Sequence, residues 1–209
     1  IDVIDIDTDY LFCSAYKFFG PHLGVLYAKK SQMEKLRTLK VQEQENIPPY
    51  KFETGTLNQE GIAGAAEAVE FIADIGFKTG DQFSEITNNL KGRRKNIVAG
   101  MHFMEAYERP LSEAFSKELS KVANVKVYNP PDDYPKTSTV SFTIEGVHPN
   151  KIARHLAAKG IFVWDGDFYA TQFTKSLGLI EKGGFVRVGL APYNTEEELD
   201  RSLAAIRSL

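Results

Sequence analysis

The stretch Asp9–Lys30, DYLFCSAYKFFGPHLGVLYAKK, decides how the chain reads. Tyr10-Leu11-Phe12-Cys13 is a short apolar run ending at Ser14, the pattern of a buried strand. Gly20-Pro21 marks a turn, and Gly24-Val25-Leu26-Tyr27-Ala28 reads as a second strand. Between the two, Lys17 stands beside Tyr16, Phe18 and Phe19. Lysine is almost never buried without a reason. Two readings follow from the residues. Lys17 is a surface lysine whose stem snorkels over its neighbours, or it is a desolvated amine. Desolvation disfavours the ammonium and leaves a nucleophile toward aldehydes. Ser14, three residues earlier, offers a hydroxyl to a phosphate oxygen, and Schiff-base lysine plus phosphate anchor is what pyridoxal phosphate requires.

Working outward, Ile4 and Ile6 look like strand material, and residues 31–50 are polar apart from a short helix around Gln32–Arg37, closed by Pro48-Pro49. From Gly61 to Ile75 the residues Ile62, Ala65, Ala66, Val69, Ile72 and Ala73 recur at helical spacing, with Thr56, Asn58 and Gly61 at the entry and Gly76 as a stop signal. A longer helix is predicted over 81–108, with Phe83, Ile86, Leu90, Ile97, Met101 and Met104 as its stripe and interruptions near Gly92 and Gly100. Pro110-Leu111 is expected to start another, striped by Leu111, Phe115, Leu119 and Val122. Strands are predicted at Val125–Tyr128, Thr139–Ile144, Ile161–Trp164 and Val186–Leu190, with loops at NPPDDYPK (129–136) and DGDFYA (165–170). Pro149-Asn150 opens a helix through Lys159, ended by Gly160. The last helix carries Thr195 and Glu198 as a capping box.

Composition narrows the class. The chain has 209 residues, enough for a sizeable core, and 43% of them are hydrophobic. A net charge of -3 gives no pull toward nucleic acid or anionic lipid. The basic cluster Lys91-Gly92-Arg93-Arg94-Lys95 lies in a helical pattern and reads as a solvated face. With one cysteine, Cys13, no internal disulfide is possible, which fits a reducing compartment. No apolar run reaches membrane-helix length, and there is no basic signal-peptide start. The expectation is a cytoplasmic protein with neither nucleic-acid nor membrane partners. His22, His102, His148 and His155 have no mutual metal spacing, and no metal is expected.

Four segments, in order, resemble the class V aminotransferase superfamily, especially its cysteine desulfurase branch. DYLFCSAYKFFGPHLGVLYAKK resembles the cofactor-lysine segment; FETGTLNQEGIAG (52–64) resembles the Glu-x-Gly-Thr-Pro-Asn loop and the helix after it. GIFVWDGDFYA (160–170) resembles the active-site loop after the small-domain helix, and FVRVGLAPYNTEEELDRSL (185–203) resembles the C-terminal arginine strand and helix start. The resemblance implies pyridoxal 5'-phosphate as cofactor, Lys17 as its Schiff-base lysine and proton shuttle, and Ser14 as a phosphate ligand. Tyr16 stands where desulfurases carry a phosphate-binding histidine. Thr56 matches a residue that reaches the cofactor phosphate of the partner subunit in a homodimer; the bland reading is a helix-entry turn. Arg187 matches the arginine that holds the substrate carboxylate; its apolar frame, Phe185 to Gly189, calls for an anionic partner, and a structural ion pair is the bland alternative.

Two departures matter. Aligned without gaps, VWDGDFYA places Tyr169 where desulfurases keep their nucleophilic cysteine, and sulfur transfer needs a thiolate. Cys13, on the strand, is expected to face the core. Members lacking the cysteine include aminotransferases, epimerases, lyases and a cysteine desulfurase-like branch, which these phrases resemble most. Asp165 and Asp167 flank Gly166 as an Asx turn or as carboxylates at a site mouth, and His22 follows Gly20-Pro21 close to the expected cofactor. Secondly, the family's carboxylate for the pyridine nitrogen, its ring-stacking residue and its glycine-rich phosphate helix lie upstream of the lysine strand, and Asp2, Asp5, Asp7 and Asp9 are too close to replace them.

The expectation is therefore an α/β chain, the C-terminal part of a pyridoxal-phosphate-dependent transferase fold. Residues 1–80 would be the remainder of the large domain, an edge of its sheet, and 81–209 a small α+β domain. Acting on an amino acid in the complete enzyme, such a piece is expected to be inactive or nearly so alone. The alternative is a non-catalytic dimerisation or interaction module.

Overall fold

The computed structural model describes residues 1–131 and 134–209; within the predicted loop at 129–136, Asp132 and Asp133 lie outside the described residues. The chain divides into two compact units, Ile1–Gly100 and Met101–Leu209.

In the first unit, β1 (Tyr10–Ser14) pairs antiparallel with β2 (Gly24–Ala28), in a register that sets Cys13 opposite Val25 and Ser14 opposite Gly24. The strand expected to be buried is not: Phe12 is 77% exposed and Cys13 is exposed rather than turned into a core. Its sheet has two strands only, so no further strand flanks it among the described residues. Ile4 and Ile6, read as strand material, lie in turns and are exposed. The ribbon's open end is tied by Lys29, whose Nζ lies 2.7 Å from Asp7 Oδ1 and 3.3 Å from Asp9 Oδ1. That pairing lowers the Asp7 carboxyl below its ordinary range and raises the Lys29 ammonium above its own.

After the short α1 (Lys30–Lys35) comes α2 (Gln59–Thr79), capped by Asn58, whose side chain accepts from the Gly61 N–H at 2.9 Å. Gly76 does not stop this helix. The buried face of α2 is Gly61, Ala68, Ile72, Ala73 and Gly76, while Ile62 is exposed. A Cβ on Gly76 would fall 1.8 Å from the Asn96 carbonyl oxygen, and one on Gly100 would fall 2.1 Å from that of Ile72. These glycines mark a backbone-to-backbone helix crossing, which small residues alone permit. The expected 81–108 helix is broken into α3 (Ser84–Thr87) and the start of α4 (Gly92–Leu119), with Gly92 at φ 56° in the break.

The helix α4 runs on through Pro110 without restarting, a second correction. Proline removes one helical hydrogen bond, to the Ala106 carbonyl, and costs a helix interior about 3 kcal/mol. Burial of Met104, Leu111, Phe115 and Leu119 along this helix outweighs that loss.

The second unit holds a four-stranded antiparallel sheet in the order β3-β4-β6-β5, from β3 (Val125–Tyr128), β4 (Thr139–Ile144), β5 (Trp164–Gly166) and β6 (Phe185–Gly189). The antiparallel strands were legible; the predicted strand 161–164 is displaced, since pairing begins only at Trp164 and takes in Asp165 and Gly166 of the expected loop. α5 (Pro149–Ala157) and α7 (Glu196–Arg207) cover one face, and α6 (Thr171–Ser176) precedes β6. Val140, Phe142 and Val186 from the sheet meet Leu111, Phe115, Ile152, Leu156 and Leu203 in one apolar cluster. Thr195 and Glu198 form the expected capping box.

Candidate functional site

Each unit carries one part of the expected site. In the first, Ser14 ends β1 and Lys17 lies in the 3-10 turn Ala15–Phe18. This turn is fixed from below. Ala15 is fully buried; Gly20 donates to the Ala15 carbonyl at 2.8 Å, and Ala15 donates to that of Leu23 at 2.8 Å. Phe19, at φ 70°, packs edge-on against Phe71 of α2 with centroids 5.8 Å apart, and the Pro21 ring sits 3.4 Å from where a Cβ on Gly64 would be. Phe19 thus anchors the turn to α2 rather than enclosing the amine. Lys17 itself is exposed.

Lys17 and Ser14 line one open depression of about 580 Å³ with Phe12, Cys13, Gly24 and Leu26. That volume is in the range of small-molecule sites. Tyr16 is half exposed, its ring 5.1 Å from that of His22. Thr56 lies in an exposed bend after Gly55, at φ 73°.

In the second unit, Arg187 occupies the middle of β6, exposed, between buried Val186 and half-buried Val188. No carboxylate among the described residues pairs with it; its guanidinium carbon lies 4.3 Å from the centre of the Phe168 ring. Cross-strand register sets Ser141 opposite it on β4 and Trp164 opposite it on β5. Phe168 and Tyr169 both have left-handed backbones, φ 54° and 60°. Asp167 holds them, accepting from the Tyr169 N–H at 3.3 Å and from the Thr171 hydroxyl, and this hydroxyl bond, with the N–H second, lowers the Asp167 carboxyl. So Asp167 is an Asx-type brace, whereas Asp165 takes the Asn150 amide at 3.3 Å. Tyr169 is fully exposed. Phe168 received no role from the sequence; its one signal was an aromatic residue in the loop next to the arginine strand. Among the described residues no group of His, Cys, Asp and Glu is placed to hold a metal ion.

A model of the class-V aminotransferases matches residues 1–93 and 96–201. The chain belongs to the class V aminotransferase family. Among curated members, it is 29% identical to a probable cysteine desulfurase of Halobacterium salinarum, covering 99% of this chain and 46% of that one. It is 27% identical to the cysteine desulfurase of Haloferax volcanii, covering 99% and 45%. The cysteine desulfurase CsdA of Escherichia coli superposes with a TM-score of 0.73 at 26% identity, over 99% of this chain and 47% of that one. The apo cysteine desulfurase of Thermococcus onnurineus NA1 gives 0.74 at 25%, over 99% and 48%. These class V neighbours bear out the expected fold, and the chain spans about half the length of the relatives it matches.

Proposed function

We propose that this chain supplies the lysine-bearing and carboxylate-binding parts of a pyridoxal-phosphate-dependent enzyme acting on an amino acid. The observation that carries the reading is that Lys17 and Ser14 share one depression. The residues fit the cofactor: a hydroxyl for its phosphate, an amine for its carbonyl carbon, and apolar Phe12 and Leu26 along the side. Bound there, pyridoxal phosphate supplies an electron sink for chemistry at an amino-acid Cα.

The chain's own residues do the rest. Lys17 would hold the cofactor at its carbonyl carbon, with the carbonyl oxygen leaving as water, and would carry the proton at the substrate Cα. Ser14 donates to phosphate, with Tyr16 replacing the histidine seen in desulfurases. Arg187, its in-plane N–H groups free of carboxylates, takes the substrate carboxylate edge-on. Thr56 reaches the partner's cofactor phosphate in a homodimer. Residues 1–80 belong to the large domain and 81–209 to the small one, and the enzyme works in the cytoplasm. With Tyr169 in place of the loop cysteine and Cys13 the only thiol, the chemistry is that of the desulfurase-like members and not persulfide transfer from that loop. The chain alone is inactive or nearly so, in keeping with its covering about half of each relative.

The test is reduction with borohydride after incubation with pyridoxal phosphate, followed by peptide mass mapping. The expected result is a pyridoxyl adduct concentrated on Lys17 and lost in Lys17→Ala, without amino-acid turnover. Labelling spread evenly over the surface lysines sinks the assignment of Lys17, and robust turnover sinks the inactivity. One observation favours a second reading: Phe12, 77% exposed, stands opposite exposed Leu26 across the β1–β2 ribbon, an uncovered apolar pair as on a module that docks to another chain. Under that reading the chain self-associates in sedimentation and shows no preferred adduct.

A further inference from the structure

The surroundings of Arg187 carry more than a carboxylate clamp requires. Directly opposed residues of antiparallel strands share a face, their Cβ atoms about 4.5–5.5 Å apart. Trp164 therefore stands on the same face as Arg187, and it is 68% exposed. Phe168 covers one side of the guanidinium at 4.3 Å. Tyr169 follows it, fully exposed. A left-handed backbone is unfavourable for residues with a Cβ, and two such residues in succession persist only where the surroundings hold them. Here the brace is Asp167, through the Tyr169 N–H and the Thr171 hydroxyl, with the Ala170 N–H bonding the Asp167 carbonyl at 2.8 Å. The loop is thus built to hold the Phe168 ring over the guanidinium of Arg187.

A guanidinium stacked on a ring keeps its in-plane donors for a carboxylate. A ligand held edge-on by those donors lies on the face that also carries the exposed Trp164 ring. A short polar or thiol side chain leaves that ring in water; an aromatic or large apolar one covers it and gains a ring contact. We infer that this face selects an amino acid with an aromatic or bulky apolar side chain over one as small as cysteine. The inference rests on Arg187 being the carboxylate clamp.

Trp164 is the sole tryptophan of the chain, so its emission reports on this face alone. The experiment titrates the full chain with 3-phenylpropionate and with propionate, exciting tryptophan selectively and checking binding by saturation-transfer NMR. Phenylpropionate is expected to shift the emission and bind about tenfold tighter than propionate, the effect of one good ring contact. Arg187→Met abolishes binding of both acids. Arg187→Lys, which keeps the charge and loses the fork, weakens both by a similar factor. Trp164→Ser, followed by NMR, removes most of the preference. Equal affinities that both vanish in Arg187→Met overturn the selectivity and leave the clamp standing. Phenylpropionate binding untouched by Arg187→Met overturns the clamp and the selectivity together. Binding seen by NMR without any change in Trp164 emission, or no binding of either acid in the millimolar range, overturns the inference as well.

Discussion

Tyr169 shows how far a single residue can be read. Its place in the sequence, where related desulfurases keep cysteine, was visible in GIFVWDGDFYA, but its left-handed backbone was not, because tyrosine gives no signal for positive φ. Glycine adopts that conformation freely, and Tyr169 makes no burial to lose. Tyr169→Gly is therefore expected to stabilise the second unit by up to about 1 kcal/mol in denaturant unfolding followed by Trp164 emission. The brace has a pH signature. Hydrogen bonds from Thr171 and Tyr169 hold the folded Asp167 carboxyl below its unfolded value, so the folded state binds that proton more weakly. Its contribution is present above the unfolded pKa and disappears as pH falls through the folded one, on the acid side of the ordinary carboxylate range. Asp167→Asn should flatten that acid limb of the unfolding curve relative to the wild-type chain.

Among the elements, period and caps were the legible signals. Thr139–Ile144 was legible by its alternation, Val125–Tyr128 as a strand candidate, and α7 by its amphipathic pattern with Thr195 and Glu198. Thr195→Ala should lower stability by about 1 kcal/mol, the usual value of a helix cap, measured by urea unfolding. What misled were residues with two meanings. Gly76 has the chemistry of a stop signal and serves instead as a contact; Pro110 has that of a helix start and lies inside α4. Local sequence cannot separate these uses, because the deciding partner, Asn96 or the apolar seam of α4, is distant in the chain or shared with other elements. Gly76→Ala places a methyl group against the Asn96 carbonyl and should cost about 3 kcal/mol, at the upper end of overpacking, with loss of α2 and α4 protection in hydrogen exchange.

For the whole molecule, family and fold were legible because four motifs kept their order over nearly the full chain, and the family match spans the same residues. The burial of β1 was misjudged for a physical reason: an apolar run signals a strand that is covered when its sheet is complete, whereas the ribbon of β1 and β2 has two strands. Lys17 is exposed rather than in a dry setting, since Phe19 packs on Phe71 of α2 and Tyr16 lies against His22. The second unit does possess its own core. Phe142→Ala, at a side chain with no exposure, should remove about 3–5 kcal/mol, read as an earlier Trp164 transition.

The crossing at Gly76 and Gly100 has a consequence at the level of the gene. Any missense change at either codon adds a Cβ where a backbone already stands. In a saturating mutational scan both positions should therefore tolerate synonymous changes alone, while the neighbouring codon for exposed Phe77 accepts most replacements.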